Sequence, residues 1–117
     1  MIRFYDFNGK LLKEINENGF CEFPYGKRAV ILYIDYIKND NTSFDISYDV
    51  FNEKTDKWYP IQEDVGTITV YKRIISDEGK YRLIVPISES ERAFRVNIEL
   101  SGGVPDLEIY AIPDYDK

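Results

Sequence analysis

Residues 41–61 read NTSFDISYDVFNEKTDKWYPI. Over residues 42–51 apolar and polar side chains alternate. Phe44, Ile46, Tyr48 and Val50 fall on one face; Asp45, Ser47 and Asp49 fall on the other. Successive side chains of a strand point to opposite faces, so this pattern specifies a half-buried β-strand with one wet side. The charged turn Glu53-Lys54-Thr55-Asp56 then leads to Trp58, the only tryptophan of the chain. Pro60 offers no N–H to a ladder, which predicts that the second strand of this hairpin lies at a sheet edge or carries a bulge. Trp58 is expected to cover one end of the core. The hairpin reads as scaffold, with function on outer faces and edges.

The same period of two extends outward in both directions. Upstream, residues 28–37 place Val30, Leu32, Ile34 and Tyr36 on one face and Ile31, Tyr33, Asp35 and Ile37 on the other. So continuous an apolar run predicts a central strand covered on both sides. Residues 2–6 and 11–15 flank Asn8-Gly9, a strong hairpin signal. A type I′ turn, with positive φ at both central residues, is the expected geometry. Downstream, strands are predicted over 67–75, 81–87, 93–100 and 107–112, separated by Ser76-Asp77-Glu78-Gly79, residues 88–91 and Ser101-Gly102-Gly103. No segment keeps a helical period for long.

These elements predict an all-β fold: an antiparallel β-sandwich or jelly roll of eight to nine strands with an N-terminal β-hairpin. The 117 residues suit a single domain. Within it, 1–27 form the hairpin and connecting loop, 28–112 the sandwich and 113–117 a tail. The expected core is Val30, Leu32, Ile34, Phe44, Ile46, Tyr48, Leu83, Val85, Phe94, Val96 and Ile98.

The formal charge is −6, from 15 basic and 21 acidic residues. Binding to phosphate backbones requires clustered Lys and Arg. Only Lys72-Arg73 and Arg92 with Arg95 come close, so no nucleic-acid partner is expected. No run approaches the ~20 apolar residues of a membrane span, and no secretory signal is visible at the N-terminus. The expectation is a chain made in the cytoplasm, with no membrane partner.

Catalytic chemistry finds few footholds. Histidine is absent, and Cys21 therefore lacks the base that would activate it as a nucleophile. A small apolar filler is the expected role of Cys21. Asp45 and Asp49 share a strand face about 13 Å apart, beyond the ~5–9.5 Å of glycosidase carboxylate pairs. Asp35 is the carboxylate that a neighbouring strand could add. Asn39, Asp40 and Asn41 with Asp45 offer oxygen ligands suited to calcium, but not at EF-hand spacing, and a tight turn calls for Asn and Asp on its own account. No metal or organic cofactor and no enzymatic activity are expected. The aromatic residues are the richest feature: ten tyrosines, seven phenylalanines and one tryptophan. Tyr33, Tyr59, Tyr71 and Tyr110 are predicted on faces opposite the most apolar positions, where rings can stack on sugars or bury against a protein.

Taken in order, AVILYIDYI, TSFDISYDV, DKWYPI, GKYRLIVPI, AFRVNIELSGG and DLEIYAI resemble the small all-β virion proteins of tailed bacteriophages and prophages. The resemblance rests on Trp58-Tyr59, Gly79 with Tyr81 and Leu83, Phe94-Arg95-Val96 and Ser101-Gly102, across roughly residues 29–112. The first 28 residues stand outside it, as an added hairpin or an arm. It implies a structural role in a capsid, neck or tail, located in the virion, with other virion proteins and further copies of the chain as partners. It carries over no catalytic residue. Tyr33, Tyr59, Tyr110, Asn8 and Gly9 are the expected contact residues. The alternative reading is a carbohydrate-binding sandwich using Trp58, Tyr59 or Tyr33 as a platform; a third is an acidic module for a protein partner.

Overall fold

The computed structural model describes residues 1–23, 29–39, 41–65, 68–70, 73–88 and 90–113. Among these there are twelve strands and no helix: β1 (Ile2–Tyr5), β2 (Leu11–Ile15), β3 (Gly19–Phe23), β4 (Ala29–Ile37), β5 (Ser43–Asn52), β6 (Lys57–Pro60), β7 (Glu63–Val65), β8 (Ile68–Val70), β9 (Arg73–Ile75), β10 (Gly79–Pro86), β11 (Glu91–Ser101) and β12 (Asp106–Pro113). Eight or nine were expected. The surplus comes from short pieces. β3 buries only Cys21 and Phe23, too few positions for the period to show. The strand expected over 67–75 is two strands, β8 and β9.

Two five-stranded sheets carry the fold. In the first the order is β10-β4-β12-β1-β2; in the second it is β3-β11-β5-β6, with β9 also pairing β5. β7 and β8 form a separate ribbon. The inner faces meet: Phe4 of the first sheet contacts Phe23 of the second edge-on at 6.4 Å, and Tyr36 meets Phe44 likewise at 5.1 Å. The architecture is therefore sandwich-like, with one core between the sheets. Of the expected core residues all are buried except Leu83, which is half-buried on the edge strand β10. Ile2, Phe4, Leu107, Ile109 and Ala111 join them, fully buried.

The pairing is not antiparallel throughout. β1 runs parallel to β12, with Ile2 beside Leu107 and Tyr5 beside Tyr110. The start of the chain is tied down there: the N-terminal ammonium donates to the Pro105 carbonyl at 2.8 Å, and Leu107 N–H donates to Met1 O at 3.0 Å. β1 is thus an interior strand of its sheet, and the N-terminal hairpin supplies its last two strands.

The turn of that hairpin also departs from expectation. Only Gly9 has positive φ, at 77°; Asn8 does not. Gly9 N–H donates to Asp6 O, and Asp6 N–H to Lys10 O. This is a three-residue loop closed by a glycine bulge, not a two-residue type I′ turn. The Asp6 carboxylate explains the preference, since its Oδ1 accepts from both the Asn8 and Lys10 amides at 2.9 Å. At the turn into β12, glycine is required for two reasons. Gly102 has φ 81°, and a Cβ there would meet the Asn41 carbonyl oxygen at 2.7 Å.

β4 is central in its sheet, as expected, but it is covered on one side only. Tyr33 and Ile37, on its outer side, are 39% and 61% exposed. Among the described residues the two five-stranded sheets form two layers, and the outward side chains of β4 are half-buried or exposed.

Candidate functional site

Cross-strand register arranges the open face of the first sheet in rows. One row is charged: Lys80 on β10, Asp35 on β4, Glu108 on β12, Arg3 on β1 and Glu14 on β2. Lys80 pairs with Asp35 at 3.2 Å and Arg3 with Glu14 at 2.9 Å. The next row is Arg82, Tyr33, Tyr110, Tyr5 and Leu11. Tyr5 stacks on Tyr110 with ring centroids 4.5 Å apart, and its hydroxyl donates to Glu108 at 3.2 Å. Burial first, then the Glu108 charge, pushes the Tyr5 phenol above its ordinary pKa. A third row is aliphatic: Ile84 beside Ile31 beside Ile112. Ile84 is 55% and Ile112 37% exposed, with Phe7 and Leu11 also open to solvent. The result is a band of aromatic and aliphatic side chains crossing five strands, bordered on one side by paired charges.

The outer face of the second sheet has a different character. Arg95 donates from Nε to Asp49 Oδ2 at 2.8 Å, and Asn97 Nδ2 donates to the same oxygen at 3.0 Å. The Arg95 guanidinium lies 4.3 Å from the Trp58 ring centroid and 5.4 Å from that of Phe20. Lys13 covers Phe20 in turn, at 4.8 Å. Trp58 is opposite Phe51 in the ladder and contacts it edge-on at 5.4 Å. Trp58 therefore lies on the outer face, not over an end of the core as expected, because its register partner is an outward position of β5. Ion pair, hydrogen bonds and cation–π contacts bind this cluster to itself.

The expected site residues separate accordingly. Tyr33 and Tyr110 are direct cross-strand neighbours on the first sheet. Tyr59 belongs to the second sheet, on the edge strand β6, opposite Val50, with its hydroxyl donating to Thr55 Oγ1 at 3.0 Å. Asn8 and Gly9 form the exposed hairpin tip beside Phe7. Tyr71, Asp40, Lys72 and the tail residues 114–117 lie outside the described residues. Tyr5, Ile31, Ile84 and Ile112 were missed as members of the band. Their outward parity is legible in the sequence, but the strand order that lines them up is not.

Of the carboxylates weighed as a pair, Asp35 and Asp49 lie on different sheets. Asp49 is taken by Arg95 and Asn97, and Asp35 sits on the other sheet's outer face, bound to Lys80. Among the described residues no group of three acidic or cysteine side chains gathers around a common point, and no helix is long and apolar enough to cross a membrane. Cys21 is buried, and desolvation pushes its thiol up to about 11, which leaves it protonated near neutrality. Arg92 and Arg95, the expected basic grouping, are each bonded to a carboxylate, Glu53 and Asp49. Among the described residues, one cleft lies between Glu53 and Arg92 and another along Arg3, Asp35 and Glu108.

The fold and its surfaces define an all-β protein of two stacked sheets, one outer face carrying the Arg95–Asp49–Trp58 cluster and the other an aromatic and aliphatic band beside a charged row. Compared with models of known protein families, with curated proteins and with solved structures, the chain matches none.

Proposed function

We propose that this chain is a non-enzymatic structural subunit of a phage-like particle, a capsid-decoration, neck or tail component that works by repeated protein–protein contacts. The observation that carries the reading is the band through Tyr33, Tyr110, Tyr5, Ile31, Ile84 and Ile112. Aromatic and aliphatic side chains aligned across a whole sheet, rimmed by charge, match the make-up of a protein interface. The resemblance to small virion proteins supplies the setting. Its motifs fall at structurally meaningful places: Trp58-Tyr59 in β6, Gly79 to Leu83 in β10, Phe94-Arg95-Val96 in β11 and Ser101-Gly102 at the turn into β12. The alternation of the chain between sheets, from β4 to β5 and from β10 through β11 to β12, supports reading the sandwich as a jelly roll. Such a subunit is made in the host cytoplasm and resides in the virion. The test is mass spectrometry of purified particles, or of an induced prophage lysate, from the source organism. The chain should be recovered in intact particles at many copies; abundance in the cell with absence from particles refutes the role.

The carbohydrate-platform alternative draws on Trp58, Tyr59 or Tyr33, of which Trp58 stands with Phe51 beside Arg95 and Asp49. It is the weaker reading, because the Arg95 guanidinium already occupies a face of the Trp58 ring. Glycan-array binding lost in Trp58→Ala would favour it.

A further inference from the structure

We infer that the open face of the first sheet is a two-fold interface with a second copy of this chain, the axis running parallel to the strands along β12. The inference rests on reading that face as a protein contact surface, and it names the partner and the geometry. The charged row decides both. From β10 to β2 its signs run plus, minus, minus, plus, minus, for Lys80, Asp35, Glu108, Arg3 and Glu14. A two-fold along β12 keeps the height of each row and reverses its order. Lys80 then faces Glu14 of the second copy, and Asp35 faces its Arg3; by symmetry each contact occurs twice. Only Glu108 meets its own kind. Both independent contacts, Lys80 with Glu14 and Asp35 with Arg3, join opposite signs.

The apolar rows obey the same operation. Tyr33 faces Tyr5 of the second copy, Tyr110 faces Tyr110, and Ile112 faces Ile112, while at the rim Arg82 faces Leu11. A two-fold perpendicular to the strands, centred on the apolar band, would instead carry the charged row over Pro86 and leave those charges unmatched. Within one copy Lys80 pairs with Asp35 and Arg3 with Glu14, so the two-fold sets each pair against the other in reversed order and joins them into a network of four charges.

Size sets the expected strength. Five strands at ~4.8 Å and three rows at ~6.6 Å give a face of roughly 24 by 20 Å, or on the order of 1,000 Å² over both copies. That is the lower end of specific interfaces, so a dissociation constant on the order of 10–100 μM is expected. A contact of that strength suits a subunit held by many repeats.

A charge-swap series tests the geometry. Lys80 and Glu14 are on opposite edges of the sheet, four strand spacings or about 19 Å apart within one copy, so they can meet only across the interface. Sedimentation velocity of the purified chain from about 5 μM to 1 mM should show a monomer–dimer equilibrium. Lys80→Glu and Glu14→Lys should each weaken it at least ~10-fold, and the double variant should return it to within ~3-fold of the parent. Glu108→Gln should tighten it by removing the like-charge contact on the axis. All three positions are solvent-accessible, and circular dichroism verifies that each variant is folded. A monomer at 1 mM, a dimer that both single swaps leave intact, or a double variant as weak as the singles overturns the inference. The two readings fail separately. A chain recovered in particles yet monomeric at 1 mM keeps the structural role and loses the two-fold; a charge-swap-sensitive dimer absent from particles keeps the two-fold and loses the role.

Discussion

Replacing Phe94 with alanine empties the middle of the space between the sheets. Phe94 is fully buried on β11 and stacks on Phe23 of β3, with ring centroids 4.9 Å apart and planes 15° from parallel. Phe23 in turn touches Phe4 of the opposite sheet, so the cavity would open where three rings hold the two layers together. The loss of a buried phenylalanine, transfer and cavity together, costs about 3–5 kcal/mol. Of that, about 0.5–1.5 kcal/mol belongs to the ring pair itself. A domain of 117 residues has a total stability of roughly 6–17 kcal/mol, so Phe94→Ala should remain folded in buffer but lose a large share of its margin. Urea melts followed by far-ultraviolet circular dichroism give the midpoint and slope; the midpoint should fall with the slope unchanged. Phe94→Leu keeps most of the volume and should lose only about 1–2 kcal/mol. A double-mutant cycle with Phe23→Ala should return a coupling near ~1 kcal/mol. A loss below 1 kcal/mol for Phe94→Ala would take this residue out of the core and refute the packing described here.

Gly102→Ala should cost about 2–4 kcal/mol, because positive φ and a backbone clash combine there, whereas Gly9→Ala, with nothing within 4 Å of its added Cβ, should cost only the ~1 kcal/mol of the left-handed conformation; equal losses in thermal melts would remove the clash from the explanation. Tyr36→Phe deletes the buried hydrogen bond to the Thr42 carbonyl, 2.8 Å long, and should lower stability by about 1–2 kcal/mol in the same assay. Between about pH 9 and 11 the unfolded chain ionises Cys21 while the folded one holds the thiol protonated, so the unfolded state binds fewer protons and stability falls as pH rises through that window. A rise of that size corresponds to an effect on the order of 2–3 kcal/mol. Cys21→Ala should flatten the slope, and a slope identical to that of the parent would show that other groups carry it.

What the sequence determined by itself is local. Alternation over 28–37, 42–51, 81–87 and 93–100 assigned strands and their buried sides, because side-chain direction in a strand depends only on parity. Phe44, Ile46, Phe94 and Val96 are core residues for that reason alone. Asn8-Gly9 announced a hairpin, since a glycine between two apolar runs relieves the steric bar on positive φ. Where the signal was short or non-local, it failed. β3 has too few inward positions to show a period. The type of the first turn depended on the Asp6 carboxylate reaching two amides. The parallel pairing of β1 with β12 joins residues more than a hundred positions apart, which no pattern within either strand encodes. The candidate surface belongs to the same class. Outward parity placed Tyr33 and Tyr110 on an open face, but only the strand order β10-β4-β12-β1-β2 sets Tyr5 against Tyr110, Tyr110 against Tyr33, and Ile84 against Ile31 in rows. It was tertiary structure, too, that turned Trp58 outward against Arg95 and sent Asp35 and Asp49 to opposite sides of the molecule. A strand's faces are a property of its own residues, whereas its neighbours are chosen by the packing of the whole chain.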